Sequence, residues 1–169
     1  VGDPDRRAAE RVVVEADPAR VVHTQGLLDE IESRRLPHLF VINKLDRPGA
    51  DFAGTVSALQ QAYGRHVVAE QWPIGSAENF SGYIDLAARA AFTYSGSGEA
   101  AAEIPADLRD AAARGREQLL EAMADFDDAL MEELLEGQEP NAEEIVRDLC
   151  SECSHDQIVP VLAASGGSG

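Results

Sequence analysis

Lysine is nearly absent from this 169-residue chain: Lys44 stands alone beside thirteen arginines. No Gly-x-x-x-x-Gly-Lys-[Ser/Thr] phosphate loop can therefore occur in the sequence, because Lys44 follows Asn43 and not a glycine. Cysteine is scarce too. Cys150 and Cys153 are the only pair, which excludes a disulfide scaffold and leaves a structural zinc site without its second pair of thiols. No stretch approaches the roughly 20 apolar residues needed to cross a bilayer, so no membrane association is expected. No charged-then-apolar leader opens the chain, and a soluble, cytoplasmic protein is the expectation. Positive charge is missing from one half in particular. The net charge of −17 divides into −3 over residues 1–98 and −14 over residues 99–169. An acidic half of that kind repels phosphate backbones, so no direct nucleic-acid binding is expected there. It reads most simply as a solvated face, and more sharply as a docking face for a protein partner.

What is present suits a folded domain. Hydrophobic residues make up 44% of the chain, and the length fits one domain or one domain with a sizeable insertion. An opening at Val1 rather than Met suggests a piece of a longer chain, and Ser165-Gly166-Gly167-Ser168-Gly169 reads as a native loop or an appended flexible tail.

Along the chain, Val12-Val13-Val14 reads as a buried strand. Thr24 is placed to cap a helix whose Leu27, Leu28 and Ile31 share a face, ending before Pro37. Leu39-Phe40-Val41-Ile42 reads as a second buried strand. Asp51 then offers a cap for a helix with Phe52, Val56, Leu59 and Tyr63 at helical spacing, ended by Gly64, and residues 67–72 read as a third strand. Strands alternating with helices predict a parallel sheet with covering helices, an α/β fold. Tyr83-Ile84 and Ala91-Phe92-Thr93-Tyr94 are short strand candidates, and Ser95-Gly96-Ser97-Gly98 reads as flexible. Pro105 suits a helix's first turn. Leu108, Ala112, Gly115, Leu119, Ala122 and Phe126 then trace one face of a long helix. Leu130, Leu134 and Leu135 mark a second helix, and Asn141 with Glu144 starts a third that carries Ile145 and Leu149. Residues 158–162 close the pattern as a buried strand. The predicted organisation is a partial sheet over residues 1–74, an acidic, mostly helical insertion over 75–157, and a last strand with its loop over 158–169.

Asn43-Lys44-Leu45-Asp46 follows directly on a predicted strand, at the strand's carboxyl end, where open α/β sheets bind ligands. Asn-Lys-x-Asp makes physical sense as a guanine reader. A carboxylate accepts two parallel hydrogen bonds from the N1–H and 2-amino group of guanine, which adenine cannot offer. A lysine stem is an apolar slab long enough to lie over the base, with its ammonium in water or on a neighbouring loop. Arginine's planar head serves a different geometry, which gives the lone lysine a reason. Asparagine can tie adjacent loops together. The plainer reading is a polar strand-to-loop turn without a ligand.

The stretch Phe40-Val41-Ile42-Asn43-Lys44-Leu45-Asp46-Arg47-Pro48-Gly49-Ala50-Asp51-Phe52 resembles the guanine-specificity segment of elongation factor G, a translational GTPase. Trp72-Pro73-Ile74-Gly75 with Asn79-Phe80-Ser81-Gly82-Tyr83-Ile84-Asp85-Leu86 resembles the approach to that family's insertion subdomain. Glu103-Ile104-Pro105-Ala106-Asp107-Leu108 is similar to the opening of the insertion's long helix, and residues 158–162 resemble the last strand before the second guanine-contact loop. The likeness covers roughly residues 12–166. It implies a partial P-loop-GTPase-type parallel sheet with a mostly helical α+β insertion. It also implies GTP or GDP as ligand, with Mg2+ only in a full-length parent. Asn43, Lys44 and Asp46 become the base-recognising residues, with Ser165 and Gly166 as the loop whose backbone N–H reaches the guanine oxygen; the family usually has Ser-Ala there. The segment Glu15-Ala16-Asp17-Pro18-Ala19-Arg20 departs from the common Asp-Gly-containing form and implies a divergent paralogue. By the same resemblance the partner is the ribosome, with the insertion as a contact site for its stalk protein. Translocation is the implied step, with ribosome protection or termination as alternatives.

The phosphate loop, the magnesium-holding switch threonine and the Asp-x-x-Gly-His switch of that family would all precede residue 12. No catalytic residue is therefore assigned, and the chain alone is expected neither to hydrolyse GTP nor to hold it tightly. Two Asp-x-x-Gly matches, Asp46 to Gly49 and Asp51 to Gly54, follow the base-reading motif and read as turn and helix chemistry. Cys150, Cys153, His155 and Asp156 could together suggest a metal site; two reduced cysteines at a helix end is the preferred reading, and no metal ligand is assigned. His23, His38 and His66 fit no nucleophilic arrangement, and Trp72 reads as core.

Overall fold

The computed structural model describes residues 9–34, 36–95 and 98–166. Four parallel strands, β1 (Glu10–Glu15), β2 (His38–Asn43), β3 (Val67–Ala69) and β8 (Val159–Ala163), form one sheet in the order β1-β2-β8-β3. The α/β class read from the sequence is the class observed. In β2, His38, Phe40 and Ile42 are buried on alternate positions, the period-2 pattern of a strand covered more fully on one face. In β1, Val12 and Val14 are buried but Val13 is 60% exposed, because this edge strand is covered on one side only. The buried run expected there is thus half right. Pro160 pairs in register with Val68 and lies just before Val161, where pairing with Phe40 begins, so its missing N–H costs the ladder nothing on the β2 side.

The first helix begins earlier than expected. Asp17, not Thr24, caps it: its Oδ1 accepts the Ala19 N–H at 3.0 Å and opens a 3-10 turn, Pro18–Thr24. That turn runs on into α1 (Gln25–Ser33), where Thr24 donates to the Val21 carbonyl at 2.6 Å. The 3-10 entry sets the phase of α1, so Leu28 and Ile31 face inward while Leu27 is 53% exposed. Helix α2 (Phe52–Tyr63) behaves as predicted. Asp51 Oδ1 accepts the Gly54 N–H at 2.8 Å, Phe52, Val56 and Leu59 are buried, and Gly64 stops the helix with φ 108°.

Residues 67–72 are not one strand: β3 ends at Ala69, and a second strand begins at Gln71. The Glu70 N–H donates to Val161 O at 3.0 Å, in the parallel sheet, while the Glu70 carbonyl accepts from Leu86 N at 3.0 Å, in the second sheet. Glu70 is therefore the crossing point. Beyond it β4 (Gln71–Ile74), β5 (Gly82–Asp85), β6 (Ala90–Ser95) and β7 (Gly98–Ala102) form an antiparallel sheet in chain order. β7 has no counterpart in the sequence reading: alanines without alternation become a strand because β6 supplies hydrogen-bond partners, Tyr94 opposite Glu99 and Phe92 opposite Ala101. Of the expected flexible stretch, Gly96 and Ser97 lie outside the described residues, whereas Ser95 and Gly98 are paired strand ends.

Three helices follow. After the 3-10 turn Ala106–Leu108, α3 (Arg109–Ala124) buries Ala112, Gly115, Leu119 and Met123. A Cβ on Gly115 would lie 2.9 Å from Leu86 Cδ1, so the absent side chain lets α3 close on the antiparallel sheet. Phe126 lies past the helix end and is 46% exposed, contrary to the predicted face. Asp127 caps α4 (Asp128–Leu135), which buries Leu130 and leaves Leu135 exposed; Asn141 caps α5 (Ala142–Ser154), accepting from Glu143 N at 2.9 Å. Helix α5 packs on β2, placing Cys153 Sγ 3.6 Å from the His38 carbonyl. One contiguous apolar cluster joins both sheets. Phe40, Ile42, Leu59, Ile84, Leu119 and Ile158 lie within it at 0–1% exposure, each contributing about 1.5–3 kcal/mol of burial. Trp72 is partly buried against it, edge-on to Phe52 at 5.5 Å.

Candidate functional site

All four strands of the parallel sheet point the same way, so the residues leaving β1, β2 and β8 emerge on one rim. Glu15 is in register with Asn43, and Ala163 with Ile42. Residues 43–46 and 164–166 are thereby brought together although about 120 positions separate them in the sequence.

The turn after β2 is tightly specified. Lys44 has φ 67°, a left-handed conformation that costs a residue with a side chain roughly 1 kcal/mol or more. Asn43 offsets that cost locally, its Oδ1 accepting the Lys44 N–H at 2.7 Å. The Arg47 N–H bonds the Lys44 carbonyl at 3.1 Å and closes the turn, with Gly49 at φ 82° completing the Asp46-to-Gly49 stretch as turn chemistry. Leu45 is the anchor. Its side chain is 1% exposed, its N–H points at Ala164 O (3.5 Å), and its carbonyl accepts from Ala77 N at 2.8 Å. With Leu45 turned inward, Lys44 is half-buried and Asp46 is exposed on the rim. The Asp46 carboxylate has no hydrogen bond or ion pair among the described residues, so both of its oxygens are available to a ligand.

Lys44 reaches across to β1. Its Nζ pairs with Glu15 Oε1, while Glu15 Oε2 lies 3.4 Å from Arg20 Nε, and Arg20 in turn lies 3.6 Å from Asp17. The Lys44 hydrogen bond, helped by the charges of Arg20, Lys44 and Arg47 and opposed by partial desolvation, holds the Glu15 carboxyl below its usual range. Sequence reasoning named Glu15 only within a segment that departs from the family form and gave it no role at the site. The available signal was its place as the last residue of a strand whose neighbour ends on the Asn-Lys-x-Asp run.

On the other side, Gly166 rests against Asn43. A Cβ built on it would lie 3.7 Å from Asn43 Nδ2 and 3.8 Å from Oδ1, an ordinary contact, so an alanine here would meet no clash. Ser165 is half-buried beside it. The five sequence-derived candidates Asn43, Lys44, Asp46, Ser165 and Gly166 thus share one rim. Among the described residues no three His, Cys, Asp or Glu side chains are grouped to hold a metal.

The groups near the end of α5 have separate partners. Cys153 is buried, its thiol pushed up to about 11 mainly by burial, and Cys150 is exposed. His155 Nδ1 lies 2.7 Å from the Ser151 carbonyl, and Asp156 lies 3.4 Å from the buried His38. No helix among the described residues is long and apolar enough to cross a membrane.

No family model matches the chain. It is 41% identical over 152 residues to an elongation factor G-like protein of Synechocystis sp., a match spanning 89% of this chain and 23% of that protein. A crystal structure of a Thermus thermophilus protein matches with a TM-score of 0.80 and 28% identity, over 97% of this chain and 24% of that one. The chain therefore spans about a quarter of the length of either relative. With this identity and this fold running through nearly its whole length, the chain belongs to the elongation factor G-like family.

Proposed function

We propose that this chain forms the base-reading wall of a GTP/GDP site in a longer translational GTPase acting on the ribosome. The observation that carries the reading is the Asp46 carboxylate, exposed on the rim where β2 and β8 end and without a hydrogen bond or ion pair among the described residues. In this site Asp46 accepts from the N1–H and 2-amino group of guanine, the Lys44 stem covers the ring, and Asn43 links the turn to the loop at Ser165 and Gly166, whose backbone N–H meets the guanine oxygen. Phosphates and Mg2+ are held by residues outside this sequence, and nucleotide hydrolysis coupled to translocation belongs to the full-length protein. Residues 75–157 act as the insertion subdomain.

The test is competition binding of GTP and XTP to the full-length protein with Asp46 or its Asn variant. Asparagine can donate to the 2-oxo oxygen of xanthine, so Asp46→Asn shifts preference from GTP toward XTP. The lost bidentate contact costs about 2–4 kcal/mol, some 30- to 1,000-fold. An unchanged GTP-to-XTP ratio in a folded variant removes Asp46 as the base reader.

A second reading is favoured by the charge of −14 on residues 99–169: the acidic helices dock a ribosomal stalk protein, without GTPase activity in this chain. Reversing the exposed Glu117, Glu121, Glu132 and Glu136 to lysine should then abolish stalk binding while leaving nucleotide affinity unchanged.

A further inference from the structure

Both ends of the Lys44 side chain are held. At the backbone end, the Asn43 Oδ1 bond to the Lys44 N–H (2.7 Å) and the Arg47 N–H bond to the Lys44 carbonyl (3.1 Å) fix the left-handed turn. At the far end, the ammonium pairs with Glu15 Oε1. Glu15 itself has little freedom. It ends β1 in register with Asn43, and the next residue, Ala16, donates its N–H to the Asn43 carbonyl at 2.9 Å. Its second oxygen faces Arg20 at 3.4 Å, and Arg20 leans on Asp17, the residue that caps the following 3-10 turn.

We propose that Glu15 is a positioning residue for nucleotide binding: by holding the Lys44 ammonium, it lays the lysine stem in place before the purine arrives. The inference rests on the base-reading role of Asn43, Lys44 and Asp46. A free lysine stem samples many rotamers and must lose them on covering a base; a stem tethered at both ends has already lost them. Because the stem covers the ring without touching its edge, the contribution is the same for every purine. Glu15 therefore sets affinity and leaves base choice to Asp46. The carboxylate does not repel an anionic ligand strongly, since Lys44 and Arg20 lie on its two oxygens.

The experiment measures GDP, IDP and XDP affinity in the full-length protein for wild type, Glu15→Gln, Glu15→Asp, Lys44→Met, the Glu15→Gln/Lys44→Met double variant and Asp46→Asn, with thermal unfolding followed in parallel. Glu15→Gln should weaken GDP and IDP by the same factor, about three- to tenfold. The double variant should be no weaker than Lys44→Met alone, because Glu15 acts only through the lysine. Glu15→Asp, which keeps the charge one methylene shorter, should recover part of the loss and serves as the readout should Glu15→Gln lose its fold. Additive losses in the double variant, a changed GDP-to-IDP ratio in Glu15→Gln, or wild-type affinity in that variant would overturn the positioning role. Failure of the underlying reading looks different: Lys44→Met would then bind as wild type, and Asp46→Asn would leave the GDP-to-XDP ratio unchanged.

Discussion

The Gln71 side-chain oxygen accepts the Ala163 backbone N–H at 3.1 Å, in the place a strand backbone has just vacated. β3 pairs with β8 only as far as Ala69 opposite Val161, and Glu70 makes the last backbone bond before the chain turns into the antiparallel sheet. Ala163 sits one residue before Ala164, whose carbonyl faces Leu45 N, so this bond supports the rim that carries residues 164–166. Replacing Gln71 by Leu keeps the bulk and leaves a buried N–H unsatisfied. The expected cost is about 1–3 kcal/mol in urea unfolding, with faster hydrogen exchange at the Ala163 amide. Wild-type exchange at Ala163 in that variant would show that the bond is not needed there.

Two carboxyls make stability fall as pH rises. Glu70, desolvated and facing Asp85, is pushed up to about 7; Glu152, desolvated and near Asp127 and Asp148, is likewise pushed up to about 7, and its Oε2 has no partner among the described residues. Since both are raised above the usual 4.5, these two groups hold more protons in the folded chain than in the unfolded chain between about pH 4.5 and 7. Their contribution is full below that window and is lost as pH climbs through 7. The neutral variant Glu152→Gln should therefore be about 1–3 kcal/mol more stable than wild type at pH 8 and little changed at pH 5. Urea titrations at the two pH values decide it, and an equal difference at both would sink the assignment.

By itself the 169-residue chain should show no GTP turnover above background and only weak guanine-nucleotide binding. Phosphate contacts from a loop's backbone N–H groups and a lysine supply much of the affinity in such sites, and the only lysine here is on the base-reading turn. Phosphate release by the purified chain, with a fluorescent GDP titration, is the measurement. Turnover that disappears in Lys44→Ala would mean the site does more than read the base.

The α/β class, the helix caps at Asp51 and Asn141 and the strand bearing Phe40 and Ile42 were legible in the sequence because each depends on neighbours within a few residues. The errors share the opposite cause. Val13, Leu27 and Phe126 are apolar at the right spacing yet exposed, since exposure depends on which elements cover a face and where a helix stops. β7 exists because β6 lies beside it, and the break at Glu70 exists because two sheets compete for its N–H and its carbonyl.

For the site, the sequence by itself determined which side chains can read a guanine edge: Asn43, Lys44 and Asp46 are one local run, and their donors, acceptors and stem length follow from residue type. Only the tertiary structure decided that Glu15 holds Lys44, that Gly166 lies against Asn43, and that Leu45 points inward so that Asp46 faces out. Those relations are set by the parallel register of β1, β2 and β8, and that register comes from hydrogen bonds between strands far apart along the chain.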